Sequence, residues 1–155
     1  MKNVEIFTDG ACSGNPGKGG FGAILRYNGT QKEISRGYAL TTNNRMELLA
    51  AICALEALKE PCAVTLYSDS KYLVDSVKLG WIDKWRANGW MRNKSDPAKN
   101  VDLLERLCAQ TERHNVDFKW VKGHDGHAEN ERCDFLATTA AKGDSLCDDS
   151  GYTPD

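Results

Sequence analysis

The sequence contains no apolar run long enough to span a bilayer, and its first residues lack the pattern of a signal peptide. We therefore expect a cytoplasmic protein that makes no contact with a membrane. Its six cysteines form no C-x-x-C pair, so we expect reduced thiols. A zinc site made of His124, His127, Cys133 and Cys147 would require an unusual ligand spacing, and we do not favour it.

The sequence also lacks internal repeats and low-complexity linkers. Its 155 residues, of which 41% are hydrophobic and 27% charged, are typical of one globular domain with a core of its own. We expect that domain to cover residues 1–142. Residues 143–155 form an acidic tail that we expect to be weakly ordered.

The net charge of −2 conceals a basic segment between residues 78 and 99. Six lysines and arginines in this segment stand against two aspartates, whereas residues 142–155 carry one lysine and four aspartates. A local basic patch on a slightly acidic chain indicates a polyanionic partner that touches the protein in one place.

Hydrophobic patterning predicts an α/β fold. Asn28-Gly29 supplies the positive φ angles of a tight hairpin turn, and strands separated by helices are expected to pair in parallel. We therefore expect a five-stranded mixed sheet, three antiparallel strands followed by parallel ones, with helices on its faces. The predicted strands cover residues 4–9, 21–27, 31–40, 63–69 and 116–123, and the predicted helices cover 41–60, 70–89 with a break near Gly80, 101–114 and 131–142.

A glycine-rich run, FTDGACSGNPGKGGFGAIL, occupies residues 7–25. Its segment 17–22 matches G-x-G-x-x-G, but the dinucleotide fingerprint requires a helix to open there, and a strand pattern follows instead. No Walker A match exists either. We interpret the glycines as a wide turn with close backbone approaches.

Four acidic residues stand where a buried carboxylate would be costly. Asp9 and Asp69 each end a predicted strand, and parallel neighbours would bring them side by side. On a helical wheel Arg45 shares the polar side with other charged residues. Glu47 points away from it, toward the apolar face. Asp134 lies at the edge of the apolar arc of the last helix.

Each acid also has a structural interpretation: Asp9 and Asp69 as turn residues, Glu47 as a helix N-terminal residue, Asp134 as a solvated edge residue. Few lysines or arginines are placed to neutralise all four, however. Carboxylate clusters of this kind bind hard divalent ions such as Mg²⁺ or Mn²⁺. Two such ions about 4 Å apart suit in-line attack on a phosphodiester.

Six blocks of the sequence, in order over about residues 4–142, together resemble bacterial ribonuclease HI. They are FTDGACSGNPGKGGFGAIL, TTNNRMELLAAICALEAL, LYSDSKYL, GWIDKWRANGW, KNVDLLERL and WVKGHDGHAENERCDFLA, and a weaker match continues into DSGY of the tail.

The resemblance implies a monomeric endonuclease that hydrolyses the RNA strand of an RNA–DNA hybrid and leaves 5′-phosphate and 3′-hydroxyl ends. It implies that Asp9, Glu47, Asp69 and Asp134 hold two Mg²⁺ ions, for which Mn²⁺ can substitute. His124, which has Gly123 and Gly126 nearby to give it mobility, is implied to move protons or assist product release.

The resemblance also implies how the hybrid is distinguished from DNA, namely through the 2′-hydroxyls of the RNA minor groove. Basic and aromatic side chains of residues 78–99 would form a handle that holds the DNA strand. Leu40 and Lys71 depart from the family pattern, and one residue near 78–80 is inserted. The implied substrate contacts are Cys12, Asn15, Asn44, Ser70 and Lys71 on the RNA side, Thr42, Asn43 and Asn100 near a DNA phosphate, and Trp81, Lys84, Trp85, Arg86 and Trp90 in the handle.

Two alternatives stay open at this point. One is a nuclease of the same fold that cuts DNA, and the other is a hybrid-binding module without catalysis. Robust cutting of duplex DNA would favour the first, and metal-independent binding without turnover would favour the second.

Overall fold

The computed structural model describes residues 1–123 and 127–154. In this part of the chain, five strands and five helices follow one another. They are β1 (Lys2–Ser13), β2 (Gly17–Tyr27), β3 (Thr30–Thr41), α1 (Asn43–Glu56), β4 (Cys62–Ser68), α2 (Lys71–Lys78), α3 (Trp81–Ala87), α4 (Val101–Arg113), β5 (Asn115–Trp120) and α5 (Ala128–Ala141).

The five strands form one mixed sheet in the order β3-β2-β1-β4-β5. The pairs β1–β2 and β2–β3 are antiparallel, whereas β1–β4 and β4–β5 are parallel. Asn28 and Gly29 adopt φ angles of 49° and 82° in the β2–β3 hairpin, as expected. The predicted fold class is confirmed, and so is the helix break at Gly80, where φ is 73°.

Strand β1 is longer than the sequence predicts, because it continues past Asp9 to Ser13. Its parallel neighbour β4 ends first, at the pair Thr8↔Ser68, while its antiparallel neighbour β2 stays paired as far as Ser13↔Lys18. The interpretation of the glycine run as a wide turn is therefore wrong over most of its length. The turn occupies only residues 14–16, and the glycines that follow lie inside β2.

Helix α5 packs directly on the glycines of β2. A Cβ atom on Gly20 would lie 2.4 Å from the Ala137 carbonyl oxygen, and one on Gly22 would lie 2.5 Å from the Cys133 carbonyl oxygen. Since real side chains never approach so closely, glycine is required for this contact. The run thus positions a helix against the sheet.

Helices α1 and α5 cover opposite faces of the sheet around β1 and β2. Gly19 faces Met46 of α1, whereas the next residue, Gly20, faces α5, as the alternation of a strand requires. The core between them includes the fully buried Ile6, Phe21 and Met46. Among the described helices, none is long and apolar enough to cross a membrane.

Arg45 is buried, with a relative exposure of 2%, although the helical wheel places it on the polar side of α1. The C-terminal segment covers it. Cys147 donates its N–H to the Gly37 carbonyl at 2.8 Å and accepts from the Ala39 N–H at 2.9 Å, which attaches this segment beside β3. Composition alone does not reveal these contacts, because it does not show that a buried guanidinium requires acidic partners.

His114 joins three elements of the core at the end of α4. Its Nδ1 accepts the Cys62 N–H at 3.0 Å, so its Nε2 carries the proton that faces the Leu55 carbonyl at 3.2 Å. This arrangement requires a neutral imidazole. Burial and the nearby Arg113 charge accordingly lower the pKa of His114 from its ordinary 6.5.

The first prediction concerns His114 and acid stability. Because its folded-state pKa is lowered, its stabilising effect is complete above pH 6.5 and is lost as the pH falls through and below 6.5. We expect His114→Gln, whose amide can both accept and donate, to flatten the fall of the free energy of unfolding below that pH, by up to about 1.4 kcal/mol per pH unit. Urea unfolding between pH 5 and 8 measures this difference, and parallel curves for the two proteins would contradict it.

Candidate metal centre

Asp9 and Asp69 emerge side by side where the parallel pairing of β1 and β4 ends. The last pair of that ladder is Thr8↔Ser68, and the next residues are Asp9, within β1, and Asp69, directly after β4. The carboxyl ends of parallel strands are where open α/β sheets bind ligands. The expectation that these two acids are neighbours is confirmed.

Glu47 joins them from the second turn of α1. The Gly10 N–H donates to Oδ1 of Asp9 at 2.9 Å and also to Oε1 of Glu47. A Cβ atom on Gly10 would lie 2.6 Å from the Glu47 backbone nitrogen, so only glycine lets the helix approach β1 here. Glu47 faces the sheet, as its position on the helical wheel predicts.

The three acids form a compact cluster. One oxygen from each of Asp9, Glu47 and Asp69 lies within 4.8 Å of the others. Asp9 and Glu47 are 5% and 3% exposed, while Asp69 is half-buried at the mouth of the cleft. Asp134, on α5, lies outside this group of three but lines the same cleft of about 380 Å³. The other lining residues are Gly10, Asn43, Asn44, Ser70, Lys71 and Tyr72.

Burial and mutual repulsion disturb the ionisation of this cluster. Burial, followed by the charges of Glu47 and Asp69, raises the pKa of Asp9 far above its usual range. Burial and the charge of Asp69 also raise the pKa of Glu47. Without a cation, the two carboxyls therefore resist being ionised together.

The donor set fits a hard divalent cation. Among the described residues, no lysine or arginine forms an ion pair with Asp9, Glu47 or Asp69. Lys71 lines the cleft, but its ammonium lies 4.9 Å from the centre of the Trp120 ring. Carboxylate oxygens without cationic partners are the ligands that Mg²⁺ and Mn²⁺ prefer.

The segment after β5 passes close to Asp69. The Trp120 indole N–H donates to the Asp69 carbonyl at 3.0 Å, and a Cβ atom on Gly123 would lie 2.7 Å from Oδ2 of Asp69. Glycine at 123 therefore leaves room for the carboxylate. His124, the next residue, lies outside the described residues.

A second cleft, of about 610 Å³, adjoins the first and shares Asn44 with it. Asn15, Thr42 and Asn100 line it, and the Asn43 N–H donates to Oδ1 of Asn15 at 3.2 Å. Thr42 also caps α1. The sequence-predicted polar residues thus surround two neighbouring clefts.

Cys12 is the exception among these residues. Its thiol donates to the carbonyls of Gly17 and Thr41, and it lines a separate pocket with Lys18 and Lys142. The structure does not bring its side chain to either of the two clefts.

The predicted handle residues lie on α3 and in the loop that follows it. The rings of Trp81 and Trp85 lie 6.1 Å apart, and Trp85 and Trp90 also pack partly against the core. Lys84 and Arg86 are exposed, and Arg86 pairs with Glu112 at 3.0 Å. The basic side chains of this segment therefore lie beside aromatic rings that pack partly against the core.

Tyr72 is a cleft residue that sequence reasoning missed. It lines the acidic cleft, and its hydroxyl accepts from the Asn100 side-chain amide at 3.2 Å. Its place two residues after Ser70, within the first turn of α2, is the signal that could have identified it.

Comparison with known proteins agrees with this geometry. The RNase H family model matches residues 1–142. A ribonuclease H of Desulforamulus reducens is 61% identical over 146 residues, covering 94% of this chain and 92% of that protein. A ribonuclease H of Rippkaea orientalis is 58% identical, covering 97% and 93%.

Solved structures agree as well. The crystal structure of LC9-RNase H1, described as a type 1 RNase H with the type 2 active-site motif, is 32% identical and superposes with a TM-score of 0.83 over 94% of this chain and 74% of that chain. LC11-RNase H1 in complex with RNA/DNA hybrid is 25% identical with a TM-score of 0.67, covering 89% and 96%. Family model, relatives and fold all coincide, and the chain belongs to the ribonuclease H family of endoribonucleases.

Proposed function

We propose that this protein hydrolyses the RNA strand of RNA–DNA hybrids, leaving 5′-phosphate and 3′-hydroxyl ends. The observation that carries the proposal is the cluster of Asp9, Glu47 and Asp69, which opens into a cleft beside a second, polar cleft. Relatives named ribonuclease H at 56–61% identity over nearly the whole chain support the same reaction.

Asp9, Glu47, Asp69 and Asp134 would hold two Mg²⁺ ions, with Mn²⁺ able to substitute. When bound, the ions supply Lewis acidity for the attacking water and the departing 3′-oxygen. Asp9 and Glu47 would have to be deprotonated in order to hold a cation. Asp69, the more accessible carboxylate, orients the attacking water.

The polar residues around the clefts would distinguish RNA from DNA. Asn15, Asn44 and Ser70 can exchange hydrogen bonds with 2′-hydroxyls, which only the RNA strand carries. Thr42, Asn43 and Asn100 would receive a phosphate of the DNA strand at the second cleft. Lys71 would meet the RNA backbone at the mouth of the acidic cleft, where the Trp120 ring restrains its ammonium.

The handle would hold the DNA strand away from the cluster of acidic residues. Lys84 and Arg86 attract phosphates, and Trp81, Trp85 and Trp90 offer faces to sugars. The positive charge of the handle is local, since the whole chain carries a net charge of −2.

The remaining assignments follow the family resemblance. His124 would move protons or assist product release. The backbone around Cys12 would contact the RNA strand. The protein would act as a monomer, as the family resemblance implies. The six cysteines are free thiols, which supports a cytoplasmic site of action.

The second prediction concerns the repulsion within the cluster. A carboxyl whose folded pKa is raised destabilises the fold as the pH rises above its unfolded value, so Asp9→Asn should stabilise the metal-free protein at pH 7. We expect a gain on the order of 1–4 kcal/mol in the free energy of unfolding, because the native protein must either protonate Asp9 or keep its buried charge beside that of Glu47. Thermal unfolding in EDTA measures it.

Added MgCl₂ should raise the melting temperature of the native protein more than that of Asp9→Asn. Asp117→Asn, the same change at an exposed residue of β5, serves as the control. It should match the native protein both in its stability in EDTA and in its response to MgCl₂. A variant Asp9→Asn that is less stable than the native protein in EDTA would contradict the assignment.

The third prediction is cleavage itself. With MgCl₂, the native protein and Asp117→Asn should cut the labelled RNA strand of a hybrid but leave duplex DNA and duplex RNA intact. Asp9→Asn should lower the rate by on the order of a thousandfold or more, as expected when a cation that supplies several kcal/mol is lost. Denaturing gels and end-group analysis measure rate and product ends.

Retained cleavage in Asp9→Asn would exclude the metal assignment. Efficient cutting of duplex DNA would favour a DNA nuclease of the same fold, and hybrid binding without turnover would favour a binding module.

The fourth prediction concerns the handle. Lys84→Ala should weaken hybrid binding and reduce the slope of log K against log salt by about one unit, because one phosphate contact is lost. Lys59→Ala removes the same charge from an exposed residue beyond α1 and should leave the slope unchanged. Binding is measured in EDTA between 50 and 200 mM salt, and equal slopes for the two variants would contradict a role for Lys84.

A further inference from the structure

The first turn of α1 carries a guanidinium whose donors are all engaged. Arg45 donates from Nε and Nη2 to Asp149 at 2.7 and 2.9 Å, and from Nη1 and Nη2 to Asp102 at 2.9 and 2.7 Å. A further bond from Nη1 reaches Oδ1 of Asn100 at 3.3 Å. Such paired bonds fix the orientation of the guanidinium as well as its position.

Asp149 is the buried member of this network. Its side chain is 5% exposed, whereas that of Asp102 is 43% exposed. It also accepts from the Thr41 hydroxyl at 2.6 Å, which joins the C-terminal segment to the end of β3. Asp149 therefore connects three separate parts of the chain.

Beyond Asp149 the C-terminal segment forms a wall of the second cleft. Gly151, Tyr152 and Thr153 line that cleft together with Asn15 and Asn100. The Tyr152 N–H closes a turn onto the Asp149 carbonyl at 3.0 Å.

Gly151 fixes the distance between this wall and the ion pairs. A Cβ atom on it would lie 1.8 Å from Oδ2 of Asp102 and 2.9 Å from Nη2 of Arg45. Any larger residue would push the segment away from the pairs.

We propose that residues 151–153 are a built-in wall of the hybrid-binding cleft, and that Asp149 is a positioning residue. Acting through Arg45, Asp149 orients Asn100 for the DNA strand of the hybrid. This inference rests on the proposed function, because it assigns a task within hybrid binding.

Asn100 presents its amide between two partners, since its Oδ1 accepts from Arg45 and its Nδ2 donates to Tyr72. Its backbone lies in the left-handed region at φ 61°, so local geometry alone does not favour its position. If Asp149 no longer holds Arg45, the guanidinium turns toward Asp102 alone and the Asn100 side chain loses its alignment.

The fifth prediction compares Asp149→Asn with Asp148→Asn, the same change at the exposed neighbour. With saturating MgCl₂ and below the melting temperature of every variant, Asp149→Asn should raise KM for the hybrid about tenfold and change kcat by less than about twofold. Asp148→Asn should match the native protein. Gly151→Ala should also raise KM. Because this variant keeps both carboxylates, it provides the test if Asp149→Asn fails to fold.

A double-mutant cycle tests the route through Asn100. Asp149→Asn should raise KM much less in an Asn100→Ala background than in the native one, because the residue through which it acts is gone. An unchanged KM with a lowered melting temperature, or full additivity with Asn100→Ala, would overturn the inference. Failure of the native protein to cleave hybrid would instead refute the proposed function.

Discussion

Three carboxylates held close together against their mutual repulsion are the constraint on which this structure depends. Asp9 and Glu47 are almost fully buried, and their oxygens lie with that of Asp69 within 4.8 Å. Buried carboxylates without cations are costly, so rigid surroundings must keep them together. The parallel ladder of β1 and β4 fixes two of them, and the close approach of α1 at Gly10 fixes the third.

The glycines of β2 provide the complementary constraint on the other face of the sheet. With Gly20 and Gly22 in contact with its backbone, α5 lies so near the sheet that Asp134 reaches the cleft of the other acids. The two helices that carry Glu47 and Asp134 thus approach the same end of β1 from opposite sides. A run that matches a phosphate-binding pattern contributes to phosphodiester chemistry by bringing a helix close to the sheet.

Local patterns in the sequence predict much of this arrangement. Strand and helix order, the hairpin at Asn28, and the inward direction of Glu47 all follow from neighbouring residues, and the structure confirms them. The burial of Arg45 could not be predicted in this way, because its partner Asp149 lies 104 residues away and belongs to an acidic tail that composition marks as solvated. The extension of β1 beyond Asp9 was missed for a similar reason, since pairing with β2 sustains it. The substrate contacts stay predictions, because they depend on a partner molecule.

Arg45 and Glu47 stand two residues apart in one helical turn and have opposite electrostatic surroundings. Arg45 is held by two carboxylates, and every nitrogen of its guanidinium donates to a partner other than Glu47. Residues two apart on a helix do not face each other, so the two side chains meet different partners. Asp102 and Asp149 engage Arg45, while Glu47 faces Asp9 and Asp69, and among the described residues no lysine or arginine forms an ion pair with these three acids. The acidic tail thus neutralises the buried guanidinium of α1, whereas the carboxylates of the cluster keep no cationic partner, which is the surrounding that hard divalent ions prefer.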